Sequence, residues 1–184
     1  MNEVAKGGTI PGLSIDGRGH HVAAYFLQGK QETVDLTELL GVGLTVRIVD
    51  EDPPMLLHML TLIGPWRYTL FQAWAESKHR LESAESAFEA WWSNRYLQAE
   101  ATLQKEKALA VQAKVRSVSE QVSKALVEAR LVDDNRTEWL EWQSQIEGCR
   151  HLERATEGLF KAVDRRGVEL STVITNLGFL LRKP

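Results

Sequence analysis

Hydrophobic and polar positions recur at helical spacing through the last third of the chain. Trp142, Ile146, Cys149, Leu152, Leu159, Val163, Leu170, Ile174, Leu177 and Leu181 follow one another mostly in steps of three and four, which places them on one face of a helix. A stripe of this kind needs a partner, and one lies upstream. Leu70, Trp74, Ser77, Leu81, Ala84, Phe88 and Trp91 step by four and three, the heptad spacing of a left-handed coiled coil. The two stripes predict two long helices packed antiparallel. No glycine or proline falls between Pro65 and Gly148, as long helices require.

The pattern also predicts what joins and precedes these helices. Apolar periodicity fades over Lys114 to Ser119, where Ser117 with Glu120 forms a capping box for a short connector helix from near Ser119 to about Leu131. Asp133-Asp134-Asn135 then caps the return helix. Upstream, acidic residues and Pro53-Pro54 start a short apolar helix, Met55 to Ile63, that Gly64-Pro65 ends; Trp66 opens the long helix. Residues 1–19 are glycine-rich and predict a flexible arm or a turn-rich lead-in. His21 to Leu27 and Leu44 to Val49 predict strands, and Thr33 to Leu40 is either a third strand or a helical turn ended by Gly41. The expected fold is mainly α: a long antiparallel helical hairpin or coiled coil with a short connector helix, plus a small N-terminal β-rich region. Residues 1–64 form that region, and 65–184 the helical domain.

Composition adds limits. A chain of 184 residues, 43% apolar and 26% charged, is about one soluble domain. A single cysteine, Cys149, excludes an intrachain disulfide and reads as a small packed apolar residue. Met1 to Ile10 has no apolar core of a signal peptide, and Met55 to Ile63 falls far short of the roughly 20 residues of a membrane span, so a cytoplasmic protein without membrane contact is expected. His20-His21 with Asp35, Asp50, Glu51 and Asp52 matches no metal-ligand spacing, and no cofactor is expected. No nucleophile elbow, zinc-protease helix or phosphate loop is present, which points to binding or assembly rather than to an enzyme.

Charge is segregated although the net value is only −3. Residues 65–118 and 160–184 carry a positive excess, the remainder a negative one. Arg95, Lys105, Lys107, Lys114 and Arg116 punctuate the far end of the first long helix beside Trp91-Trp92 and Tyr96, and Lys161, Arg165 and Arg166 form a second cluster on the return helix. Cations beside aromatic faces are what single-stranded nucleic acid contacts. The tryptophans serve equally as packing: one two-helix seam cannot hide six of them, and Trp92, Trp139 and Trp142 with Gly167 mark a surface for self-association. Gly167 in a helix permits close approach of another helix or subunit, and Arg166 either bridges carboxylates across that contact or binds phosphate.

Ala162, Arg166, Gly167 and Leu170 stand in the pattern A-x-x-x-R-G/R-x-x-L/I. This resembles the C-terminal signature of the UvsY-like family of phage recombination mediators. The layout is similar from Trp66 to Leu181: an early helix with the stretch Tyr68 to Trp74, then a Glu/Ala/Lys-rich helix, a Ser/Thr-initiated short helix and an Asp-capped return helix. The basic positions of the family's first helix are met here only by Arg95, with Leu97 and Ala99 in place of a Lys-x-Arg pair. The resemblance implies a protein of the host cytoplasm that binds single-stranded DNA, assembles into a ring-like homo-oligomer, and loads a recombinase by displacing a single-strand-binding protein. The alternative from the residues alone is a non-enzymatic scaffolding oligomer, a phage assembly factor or coiled-coil adaptor.

Overall fold

Val22, Tyr25 and Phe26 favour a pleated strand, and turn-forming Asp16, Gly19 and Gly29 bracket the run that holds them. In a computed structural model of the protein this run is the central strand of an antiparallel meander, β1 (Gly12–Ile15), β2 (His21–Leu27) and β3 (Lys30–Asp35). The structure describes residues 12–41, 53–112 and 122–180. The strand expected at Leu44 to Val49, the capping box of Ser117 and Glu120, and the candidate residues Lys114 and Arg116 lie outside them. Within the expected lead-in, Gly12–Ile15 is a strand: Leu13 pairs with Ala23, and the turn after it is tied by Asp16, whose Oδ1 accepts the N–H groups of Arg18 and His20 at 2.8 and 2.9 Å. The N–H of His20, ahead of that of Arg18, holds the Asp16 carboxyl below its ordinary range.

Between β2 and β3, Gln28 and Gly29 take positive φ values of 52° and 76°, as a two-residue hairpin loop with the twist of its strands demands. After β3 comes a single π-helical turn, Thr37–Gly41, so the segment from Thr33 is a strand end followed by a turn. Asp35 caps that turn, accepting the Thr37 hydroxyl and, at 2.8 Å, its N–H.

Three helices follow: α1 (Pro53–Gln112), α2 (Lys124–Asp134) and α3 (Arg136–Leu180). α1 runs unbroken through Gly64-Pro65, where the sequence predicts an end. A mid-helix proline costs about 3 kcal/mol. Burial outweighs it here, because Leu56, Met59 and Ile63 before the proline and Leu70 and Ala73 after it are buried in one core, while Gly64 and Pro65 are exposed. α2 starts and ends later than predicted. Ser123 is its N-cap, accepting the N–H of Leu126 at 3.3 Å. Asp133 and Asp134 finish α2 instead of capping α3, and Asp134 binds Arg130 at 2.8 Å. Asn135 alone forms the joint: its N–H and side-chain amide both donate to the Leu131 carbonyl, and its own carbonyl accepts the first α3 bond, from Trp139 at 2.9 Å.

The chain divides into two compact units, and α1 and α3 contribute to both. In the first, Met1–His79 with Arg150–Pro184, the sheet and the π-helical turn present Ala23, Tyr25, Leu36 and Leu39 to α1 and α3. Leu56, Leu70, Leu159 and Leu170 are each at most 1% exposed. Each such side chain contributes about 1.5–3 kcal/mol. The helices here are antiparallel, as Arg67 meets Asp164 at 2.9 Å and Trp74 Nε1 donates to Glu153 Oε1 at 2.9 Å. A buried hydroxyl pair, Ser77 Oγ and Thr156 Oγ1 at 2.7 Å, crosses the seam. Glu76 of α1 reaches the sheet and accepts the loop N–H groups of Gln28 and Gly29 at 2.7 and 3.3 Å.

In the second unit, Arg80–Cys149, α2 packs Val127 and Leu131 against Ala99 and Leu103 of α1. Trp91, Trp92 and Tyr96 flank this smaller core, and α1 and α3 are again joined, by Trp91 and Arg95 with Glu138. Both predicted heptad stripes are therefore contact faces: Leu70, Ser77 and Ala84 of the first and Ile146, Leu159, Val163 and Leu170 of the second are buried. Among the described residues no helix is long and apolar enough to cross a membrane.

Candidate functional site

Neighbouring residues on a helix point about 100° apart, so Trp91 and Trp92 cannot both enter one seam. Phe88, Trp91, Trp92 and Trp142 instead form a half-buried cluster in the second unit. Phe88 stacks on Trp91 at 5.7 Å and lies 5.9 Å from Trp92 and 6.3 Å from Trp142. Glu138 anchors its edge, accepting from Trp91 Nε1 at 2.9 Å and from Arg95 Nη2 through both oxygens at 3.0 and 3.1 Å. The indole donor first, and Arg95 second, hold the Glu138 carboxyl below its ordinary range. Arg95 also donates to Gln98 at 3.2 Å, so much of its guanidinium is already engaged. Lys105 is exposed further along α1, and Lys107 is half-buried.

A second aromatic group lies in the first unit. Trp74 and Phe160 stack at 5.6 Å with planes 15° apart, and Phe71 meets both edge-on at 6.1 and 5.8 Å. Phe71 and Tyr68 are 48% and 65% exposed, leaving a shallow apolar groove with Gly64 and Arg67. Lys161 and Arg165 lie on the exposed side of α3, one turn apart. Each has an i,i+4 carboxylate, Glu157 at 2.7 Å and Glu169 at 3.1 Å, with side-chain exposures of 67% and 83%. Exposed pairs of this kind are worth about 0.3–0.5 kcal/mol, little enough to be exchanged for a phosphate.

Arg166 differs from the other cations. It is 8% exposed, and its Nε donates to the Leu39 carbonyl of the π-helical turn at 2.7 Å, with Glu169 at 3.5 Å from Nη1. The sequence leaves it between bridging carboxylates at a helix contact and binding phosphate; the structure buries it inside the first unit, where the turn presents a buried carbonyl that a guanidinium can satisfy. Gly167 is likewise approached within the chain, by Ile63 of α1. A Cβ there would lie 2.9 Å from Ile63 Cγ2. Arg166, Gly167 and Leu170 of the motif thus fasten α3 to α1 and to the turn before it.

Of the tryptophans assigned to self-association, Trp92 and Trp142 belong to the ring cluster, and Trp92 with Trp139 also walls an open slot with Phe88, Glu89 and Ser93. Glu76 and Glu138 organise these surfaces, and sequence reasoning missed both. Their partners lie more than forty residues away, so local spacing carries no trace of them. Cys149 is a free, half-buried thiol, and among the described residues no three His, Cys, Asp or Glu side chains gather as a metal site. Compared with models of protein families, with curated proteins and with solved structures, the chain matches none.

Proposed function

We propose that the chain is a non-enzymatic recombination mediator that binds single-stranded DNA as a homo-oligomer, ring-like by its UvsY-like resemblance, and helps load a recombinase in place of a single-strand-binding protein. The observation that carries this reading is the pairing of partly open aromatic groups with exposed cations on the helical framework. Phe71 and Tyr68 offer ring faces in the unit that carries Lys161 and Arg165, and Trp91 in the unit that carries Arg95, Lys105 and Lys107, of which Lys105 is the most open to solvent. Bases stack on such rings, and phosphates replace weakly held carboxylates. Exposed Leu97, Leu109 and Val111 along α1 supply apolar area for sister subunits.

The test is fluorescence anisotropy with an oligo-dT across a salt series. Binding weakens steeply as salt rises, and the double variant Lys161→Ala/Arg165→Ala flattens the log–log slope by about 1.4, two single-strand phosphate contacts. No binding at micromolar protein in low salt overturns the reading. A scaffolding oligomer is the second reading, favoured by the engagement of Arg95 with Glu138 and the burial of Arg166. It predicts oligomers by light scattering that ignore single-stranded DNA.

A further inference from the structure

The slot walled by Phe88 and Trp92 of α1 and by Trp139 of α3 is aromatic on its sides and acidic at its rim. Glu89 lies beside Trp92, and Trp139 also borders a second groove edged by Glu128, Asp133 and Arg136. Glu89 is the slot's one charged wall residue and has no ion-pair partner among the described residues, whereas the carboxylates of the neighbouring groove are matched by cations, Glu128 by Lys124 at 3.7 Å and Asp133 by the nearby Arg130. The indole N–H groups of Trp74 and Trp91 are spent on Glu153 and Glu138, whereas those of Trp92 and Trp139 meet no acceptor among the described residues.

We propose that the Trp92–Trp139 slot receives an arginine or lysine side chain presented by a protein partner. Ring faces attract a cation through their quadrupole, and the Glu89 carboxylate adds a salt link. The same charges argue against the other occupants. A phosphate backbone entering the slot would meet Glu89 and no cation among its walls, so this is not where DNA is expected to lie. A second copy packed about a two-fold axis would set the same acidic rim against itself, over a patch of few residues when a stable dimer buries about 800 Å² on each partner. The slot therefore serves a cationic protein segment, and this inference stands whether or not DNA binds elsewhere.

The full-length protein labelled with 5-fluorotryptophan tests it, its six fluorine signals assigned by single Trp→Phe variants. The probes are the blocked tripeptide Leu-Arg-Leu and the same peptide with citrulline for arginine. The arginine peptide is expected to move the Trp92 and Trp139 signals with a Kd of about 1 mM, an ordinary value for so small a ligand. The citrulline peptide binds at least about tenfold more weakly, as loss of the charge demands. Glu89→Gln, exposed and free of the core, weakens the arginine peptide about threefold without changing oligo-dT affinity, whereas Asp133→Asn, outside the slot, leaves the peptide affinity unchanged. Equal shifts from both peptides, or no shift up to about 10 mM, overturn the proposal. So does displacement of the peptide by oligo-dT, or a change of these signals on dilution that tracks the light-scattering mass, which would give the slot to DNA or to a second copy.

Discussion

Replacing Arg166 by methionine separates a structural arginine from a DNA-binding one. Methionine keeps most of the apolar stem and removes the guanidinium, leaving the carbonyl of Leu39, itself 1% exposed, without the donor now 2.7 Å away. A hydrogen bond from a charged group is worth about 1.5–3 kcal/mol, and an orphaned buried acceptor costs a similar amount. The Glu169 contact adds little, since it is long at 3.5 Å and its carboxylate is 42% exposed. The expected loss is about 2 kcal/mol, which at a urea slope of about 2 kcal/mol per molar lowers the unfolding midpoint by about 1 M. Lysine does not rescue the site: the donating atom is Nε, and a lysine puts its Cε methylene at that point of the chain. Urea unfolding followed through Trp74, with oligo-dT anisotropy at a protein concentration where the variant is folded, reads both roles. An unchanged midpoint together with a weakened DNA affinity would refute the buried-anchor account.

Two further outcomes concern the seams. Ser77→Ala and Thr156→Val each break the 2.7 Å hydroxyl contact yet leave the surviving hydroxyl its own backbone acceptor, Leu152 or Ala73. Each is expected to cost about 1 kcal/mol, and the double variant no more than either alone; additive losses in a double-mutant cycle would show the pair is not coupled. Glu138 has a folded pKa below its unfolded one, so its contribution is complete above about pH 4.3 and is lost as pH falls through the folded value. The difference in urea midpoint between wild type and Glu138→Gln should therefore shrink on acidification, and a difference independent of pH would remove Glu138 from the account.

The helical hairpin was legible because its signal is periodic. The stripes at Leu70 to Trp91 and Trp142 to Leu177 are the faces that meet, since a three-four spacing admits one buried side per helix. The helix ends were harder to read, because a local stop signal competes with burial further along. Pro65 loses to the core on either side of it, and Asp133-Asp134, a fair cap for α3, closes α2 instead. The cations were legible as residues and not as sites. Nothing near Arg166 in sequence announces the Leu39 carbonyl, and nothing near Arg95 announces Glu138. Charge pattern alone cannot distinguish an arginine turned inward from one offered to solvent.

The clasp of Glu76 on the loop of Gln28 and Gly29 bears on the order in which the molecule takes shape. A three-stranded meander this short has little stability of its own. Its support arrives late: α1 must be made before the carboxylate can close on the two amides, and Leu159, Val163 and Leu170 later still before Tyr25 is covered. A ribosome therefore releases the strands well ahead of the surface they rest on, and they wait as unstructured chain. Excised from the helices, the stretch that holds them should behave as a peptide rather than as a domain.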